Sequence, residues 1–201
     1  MSENKTEISV EALRAGDREE FSRLVDTYSG PIYRLALKML GIPTDAEDVL
    51  QNTFLKAFQH LKEFEGRSSL STWLYRIASN EALMLLRKHR PEITLSDAAP
   101  EDDDNSDYSP AQFTDWCCLP EDEFLSSESQ AALDRAVQHL PETQRIVFVL
   151  RDIEGLSIQE TSEALNLSET AVKTRLLRAR LRLREELSTY YGERLDKRSK
   201  E

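Results

Sequence analysis

The segment 155–182 constrains the fold of this chain most strongly, because its pattern is that of two short helices joined by a tight turn. Ser157 and Glu160 have capping-box spacing, in which two side chains satisfy backbone N–H groups at the start of a helix. Asn166 stands where the turn must be tight, and asparagine tolerates the left-handed conformation. Ser168 can cap the second helix, on which apolar residues recur with the period of one helix face: Val172, Leu176, Ala179 and Leu183.

The second of these helices is strongly basic on its other faces. Residues 169–184 contain six basic residues and one acidic residue. Four polar side chains lie on or beside the face opposite the apolar stripe: Lys173, Thr174, Arg175 and Arg178. This arrangement is typical of a DNA-reading helix-turn-helix, whose second helix enters the major groove. The alternative is an ordinary helical hairpin with a solvated charged face. The excess of positive over negative residues disfavours this alternative.

The net charge of −11 is unexpected for a DNA-binding chain until the acidic charge is located. Residues 91–130 contain twelve acidic residues and neither Lys nor Arg. Without these twelve, the 37 acidic residues of the chain fall to 25, against 26 basic ones. The same segment is rich in proline and shows little periodicity, so 93–125 is predicted to be a flexible, self-repelling linker between two domains.

Other features of the sequence limit the classes of function. Residues 1–13 lack the apolar core of a signal peptide, and no apolar run approaches the ~20 residues that span a bilayer. We therefore expect a cytoplasmic protein without membrane insertion. Cys117 and Cys118 are adjacent, which is awkward for a structural disulfide, and a pair of loop thiols is a simpler interpretation than a redox or metal sensor. Without a P-loop, a Ser/His/Asp set or metal-ligand spacing, no cofactor, metal or enzymatic activity is predicted.

Helical periodicity before the linker extends almost throughout, so the fold is predicted to be all-α. An apolar stripe covers residues 21–39, and Gly41 and Pro43 are expected to end that helix. Thr44 and Glu47 then predict a second capping box. The following helix is expected to bury Ala46, Val49, Leu50, Thr53, Phe54, Ala57, Phe58 and Leu61.

Two polar features accompany this helical part. On or beside the other face of the second helix lie Glu47, Asp48, Gln51 and Asn52, which alone are typical of a solvated surface. A loop at 63–69 precedes a helix in which aromatic residues stand beside basic ones. Rings that stack on bases and cations that bind phosphates are what a single-strand binding surface requires, although composition alone favours Trp73 and Ile77 as core residues.

In order along the chain, these motifs resemble those of group 4 (extracytoplasmic function, ECF) bacterial sigma factors of the sigma-70 family. The segments that resemble region 4 of that family are 140–142, 151–157, 172–175 and 178–180. The segments that resemble its regions 2.2 to 2.4 are 46–49 with Gln51 and Phe54, Phe64-x-Gly66, and 72–78 with Asn80. The resemblance covers nearly the whole chain and keeps the order and spacing of two domains, which is far more specific than a lone helix-turn-helix.

The resemblance implies two helical domains, sigma region 2 at 1–92 and sigma region 4 at 126–191, joined by the linker 93–125 and followed by a charged tail at 192–201. It implies a transcription initiation factor, without catalysis of its own, that directs bacterial core RNA polymerase to promoters. Region 2 would bind the coiled coil of the largest polymerase subunit, melt the −10 element and capture its non-template strand. Region 4 would read the −35 duplex and contact the polymerase flap. An anti-sigma factor is a further partner that the resemblance allows.

Three sets of site residues follow from the resemblance. The set for core polymerase is Glu47, Asp48, Gln51 and Asn52. The set for −10 DNA is Lys56, Phe64, Gly66, Arg67, Ser68, Ser69, Arg76 and Asn80. The set for −35 DNA is Ser168, Lys173, Thr174, Arg175, Arg178 and Arg180.

Two other functions stay open at this stage. An activator or repressor with the same helix-turn-helix would bind promoters without polymerase. Such a function would not explain the separate motif at 72–80. An adaptor that sequesters a partner through the acidic linker would make no DNA contact. The linker itself allows two roles, since it can occupy a nucleic-acid path in the polymerase or restrain the basic helix-turn-helix in the free protein.

Overall fold

The computed structural model describes residues 8–89 and 127–198, and within these ranges every regular element is helical, which confirms the predicted all-α class. The N-terminal bundle consists of α1 (Val10–Ala15), α2 (Arg18–Leu40), α3 (Pro43–His60), a 3-10 turn (Leu61–Glu63) and α4 (Leu70–His89). The C-terminal bundle consists of α5 (Ser127–His139), α6 (Glu142–Phe148), a π-helical turn (Val149–Ile153), α7 (Ile158–Leu165) and α8 (Glu169–Arg198). The predicted linker and its two cysteines lie outside the described residues. No described helix combines the length and hydrophobicity needed to cross a membrane.

The N-terminal bundle forms around α2, which packs against both α3 and α4. The Asp17 carboxylate caps α2 by accepting hydrogen bonds from the N–H groups of Glu19 and Glu20. Gly41 ends the helix in the left-handed conformation, with φ of 74°. The buried apolar side chains of α2 are Leu24, Ile32, Leu35, Ala36 and Met39, all on the stripe that the sequence predicts. These residues meet Val49 and Leu74 of the two neighbouring helices in one core.

Two expectations for α3 are wrong. The helix begins at Pro43 rather than after a Thr44 cap, and Ile42 takes the N-cap position without a side-chain hydrogen bond. Proline suits the first helical position because its φ is preset and its missing N–H would have no partner there. Phe58 is 57% exposed, and its ring meets the edge of Phe21 at a centroid distance of 5.2 Å instead of entering the core.

The helix-turn-helix of the C-terminal bundle has the predicted geometry. The Glu160 N–H donates to Ser157 Oγ at 3.1 Å, and the Ser157 N–H donates to Glu160 Oε2 at 2.7 Å. Hydrogen bonds from Ser157 lower the pKa of Glu160. Asn166 has φ of 52° and is the one non-glycine residue with positive φ in the described parts of the chain. Ser168 Oγ accepts from the Ala171 N–H at 3.1 Å, and the four predicted core residues of α8 are buried.

The two bundles also pack against each other, which the sequence did not predict. Helix α4 packs on α7, and α2 contacts α5, α6 and the π-helical turn. The backbone of α8 continues to Arg198, beyond the boundary at 191 that the sequence analysis placed before the tail.

Loss of the capping box should lower the stability of the C-terminal bundle. We expect Ser157→Ala to reduce the free energy of unfolding by about 1 kcal/mol, because the Glu160 N–H then loses its acceptor. Urea denaturation followed by circular dichroism measures this change. Ser22→Ala, at an exposed position inside α2, is the matched control and should be neutral or slightly stabilising, since alanine has the higher helix propensity. Equal losses in both variants would contradict a specific cap.

Candidate functional site

The first candidate surface is the solvent face of α3. All four residues of the predicted polymerase set, Glu47, Asp48, Gln51 and Asn52, are exposed on this helix. Leu55 is 56% exposed and follows Gln51 by one turn, and the exposed Phe58 lies one turn further along the same face. Neither Leu55 nor Phe58 was predicted to be a surface residue, although their spacing from Gln51 places them on its side of the helix. We call these six residues the α3 surface, which combines acidic, amide and large apolar groups.

The second candidate surface is the loop between the 3-10 turn and α4. Phe64 is buried and packs on Trp73 with ring centroids 5.0 Å apart. The guanidinium of Arg14 donates to the Phe64 carbonyl and fixes the start of the loop. Gly66 has φ of 75°, and a Cβ there would meet nothing within 4 Å, so glycine is favoured by conformation rather than by space. The loop therefore has a rigid apolar base and an exposed tip.

Several side chains of the predicted −10 set already make bonds within the protein. Ser69 Oγ accepts from the Thr72 N–H at 3.1 Å and thereby caps α4. Lys56 Nζ pairs with the buried carboxylate of Glu81. Arg67 is exposed and pairs with Glu65 across 2.7 Å. The remaining cationic and amide groups of this set lie exposed on α4, at Arg76 and Asn80.

A cavity of about 420 Å³ joins the loop to the helix-turn-helix. Five residues of the predicted −10 set line it: Phe64, Gly66, Arg67, Ser68 and Arg76. Lys56, Ser69 and Asn80 do not line this cavity. Glu163 and Asn166 of the C-terminal bundle form its opposite wall. One side of the loop thus faces the helix-turn-helix across this cavity, while its tip stays exposed.

The third candidate surface is the outer side of α8. Ser168 and Lys173 are exposed, and Lys173 pairs with Glu169 at 3.2 Å. The side chains in the middle of α8 are less exposed on this side than the sequence pattern predicts. Thr174, Arg175 and Arg178 are half-buried. Arg180 forms a two-pronged pair with Asp152 at 2.8 and 2.6 Å, and this hydrogen bonding raises the pKa of Arg180.

The contacts between the bundles involve residues that the sequence analysis did not select. Glu154 follows the π-helical turn and meets Arg34 and Tyr75 of the N-terminal bundle. Burial, together with the Glu154 charge, raises the pKa of the Tyr75 phenol. Arg145 is buried although it follows the polar residues 142–144, so the sequence around it held no signal of its burial.

Comparison with known proteins identifies the family. The model described as "Sigma-70 region 2" matches residues 24–92, and "Sigma-70, region 4" matches residues 130–183. The ECF RNA polymerase sigma factor SigW of Bacillus subtilis is 35% identical over 178 residues, covering 89% of this chain and 94% of that protein. The chain belongs to the ECF sigma factors of the sigma-70 family. It is therefore a transcription initiation factor that directs RNA polymerase to promoters.

Further relatives agree with this family. The ECF RNA polymerase sigma-E factor of Escherichia coli K12 is 33% identical over 184 residues, covering 90% of this sigma factor and 93% of its own length. Among solved structures, CnrH in complex with the cytosolic domain of CnrY has a TM-score of 0.62 at 26% identity, with 87% of this chain and 91% of that chain covered. The sigma factor RpoE of Bartonella quintana, solved with the anti-sigma factor NepR, has a TM-score of 0.60 at 23% identity, covers 84% of this chain and 97% of its own, and shows the shared fold.

The cap at Ser69 gives a test of how the loop is held. We expect Ser69→Ala to lower the free energy of unfolding by about 1 kcal/mol, whereas Ser69→Asp should retain it, because aspartate caps helices as well as serine does. Urea denaturation of both variants measures the difference. Ser68→Ala, one position earlier in the loop, is the control and should change stability by less than about 0.5 kcal/mol. An alanine variant at position 69 as stable as the unaltered protein would show that the cap contributes nothing.

Proposed function

We propose that this sigma factor binds core RNA polymerase through the α3 surface, captures the −10 non-template strand with the loop at 64–69 and α4, and reads the −35 duplex with α8. Polymerisation belongs to the partner enzyme, and the sigma factor has no catalysis of its own. The observation that carries the proposal is the presence, in one chain, of a capped basic helix-turn-helix and a rigid loop with an exposed glycine tip. The function of an activator or an adaptor would not require the loop.

The loop has the chemistry that strand capture requires. Extruding a base costs a few kcal/mol, which stacking and hydrogen bonds must offset. Phe64, already fixed on Trp73, provides an apolar wall that does not have to order when a base arrives. Gly66 lets the backbone approach the base closely. Arg67 and Arg76 stand at the rim of the cavity, where phosphate groups would pass.

The −35 assignment rests on the position of α8 within the helix-turn-helix. Ser168 fixes the N-terminus of the helix, and Lys173 lies exposed one turn further on, which suits a phosphate contact. Arg178 is half-buried and therefore directed by its surroundings, which suits a specific contact to a base edge. Arg180, engaged with Asp152, supports the orientation of the helix more than it offers a free cation.

Polymerase binding is assigned to the α3 surface because that surface combines charge and large apolar groups. Exposed apolar groups of this size, next to ordered polar ones, mark protein interfaces more often than plain solvated surface. Glu47 and Asp48 would meet a basic partner, and Leu55 and Phe58 would provide the apolar anchors. A protein partner of the anti-sigma type is also proposed, by extension from the complexes in which the related structures were solved.

Reversing the charge of the α3 surface should abolish holoenzyme assembly. We expect Asp48→Arg to remain folded, since the residue is exposed, but to lose co-elution with core polymerase and run-off transcription. Asp26→Arg, an exposed carboxylate of α2, is the matched control and should retain both. Normal co-elution of the Asp48 variant would remove the assignment. Run-off transcription by core polymerase that the unaltered protein does not stimulate would remove the proposed function.

Two of the cationic residues of α8, Arg178 and Lys173, should behave differently on DNA. Arg178→Ala is expected to lower holoenzyme affinity by about 1–3 kcal/mol and to relax preference at one base pair, whereas Lys173→Ala should weaken all sequences alike and reduce the salt slope by about 1. Selection from a randomised −35 library with the holoenzyme measures both effects. Unchanged −35 binding in all four alanine variants, at Lys173, Thr174, Arg175 and Arg178, would contradict −35 reading by this face.

A further inference from the structure

One large apolar side chain of α4 lies outside the core. Residues 82–86 of this helix are five consecutive apolar residues. Ala82 is buried, and the three leucines of this run pack against the core. Met84 is instead 58% exposed. A polar residue is the ordinary choice at an exposed position of an amphipathic helix, so packing within the bundle does not account for a large apolar group at position 84.

Met84 continues the face of α4 that carries two residues of the predicted −10 set. Arg76, Asn80, Met84 and Arg87 recur at spacings of three and four residues, and all four are exposed. At about 1.5 Å per residue, Met84 lies about 6 Å from Asn80 and about 12 Å from Arg76 along the helix axis. Along this face, polar groups beside the loop cavity are therefore followed by an apolar group and then by a cation.

The C-terminal end of α4 is basic. Arg87, Lys88 and His89 belong to its last turn, and the side chains of Arg87 and Lys88 are exposed. The carboxylate of Asp45, at the start of α3, lies 3.6 Å from His89 Nδ1. Exposed arginine and lysine suit the phosphates of a DNA duplex, which are the commonest contacts of DNA-binding proteins. Met84 thus lies between a part of α4 suited to a single strand and a part suited to a duplex.

Opening of a duplex exposes a base pair that an apolar side chain can cover. At the edge of a melted region, the last base pair loses the neighbour on which it was stacked. Proteins that unstack or kink DNA insert apolar side chains, methionine among them, at such steps. Methionine suits this contact because its side chain is flexible and polarizable and adapts to the surface that it meets.

We propose that Met84 is a wedge that separates the strands at the upstream edge of the −10 element, by stacking on the last base pair while Arg76 and Asn80 hold the non-template strand. Arg87 and Lys88 would then contact the phosphates of the DNA that stays paired. The paired side is the upstream one, because the −35 element is read as a duplex. This proposal rests on the proposed function, since it assigns one residue to the melting step.

The test compares two promoters that differ only in the pairing of the −10 element. In the first the element is fully paired. In the second the template strand is mismatched there, so that the element is already open and the non-template sequence is unchanged. Full-length variants are assembled with core polymerase, and abortive RNA synthesis reports how fast transcription-competent complexes form on each promoter. Circular dichroism confirms that each variant is folded.

Four variants separate a wedge from a strand contact. We expect Met84→Ala to slow complex formation about 10-fold on the paired promoter and less than about 2-fold on the open one, because only the first must be unstacked. Met84→Leu keeps an apolar group and should retain the rate. Leu133→Ala, which shortens a side chain of α5 that is 42% exposed, is the control and should be unaffected on both promoters. Asn80→Ala should be impaired on both, since the strand must be held in either case.

Two results would overturn the wedge while leaving the proposed function intact. One is a Met84→Ala or Met84→Leu variant that behaves otherwise on the paired promoter, either an alanine variant at the unaltered rate or a leucine variant as slow as alanine. The other is an equal loss on both promoters, which would show that Met84 contacts the strand or a protein partner instead. If the unaltered protein gives no transcript from either promoter, the proposed function fails and the wedge fails with it.

Discussion

Satisfaction of helix ends is the constraint on which this structure depends. A chain built from many helices has many backbone groups without partners inside a helix, and each buried one must find a partner elsewhere. Four helix N-termini are capped locally, by the side chains of Asp17, Ser69, Ser157 and Ser168. The C-terminal end of α2 is different, since the carbonyls of Lys38 and Met39 accept hydrogen bonds from Gln138 and Arg145 of the other bundle. Local caps fix where the helices lie in sequence, and this one remote cap helps to fix how the two bundles meet.

The same distinction between local and remote partners explains which features could be predicted from the sequence. The capping box and the turn at Asn166 were predictable because their partners lie within a few residues, and the core face of α8 follows from helical period alone. The start of α3 was missed because Pro43 offers a competing and simpler helix start than Thr44. Phe58 was wrongly predicted to be buried. Helical periodicity gives the side of the helix on which a residue lies, but not whether another element packs against that side. The Glu154 contacts join residues 120 and 79 positions apart, for which a single sequence holds no spacing signal.

Structural bonds also limit which residues of the candidate site remain available. Ser69 caps α4, Lys56 neutralises a buried carboxylate, and Phe64 is part of the core. In the function proposed here, these side chains hold the loop in shape before DNA binds, which reduces the ordering cost of binding. Exposed groups such as Arg76 and Asn80 would then make the contacts with DNA. The residues that the resemblance assigns to one task therefore divide physically into those that shape the loop and those that face outward.

The contact between the bundles combines polar bonds with apolar packing, since buried apolar side chains of both bundles belong to one continuous core. Its ion pair and charged caps add little net stability, because their separated partners are well hydrated. What they retain is geometric selectivity, since Arg34 can place two donors on Glu154 in one relative orientation of the bundles. The polar bonds of this contact therefore fix the relative orientation of the bundles, while apolar packing provides most of its stability.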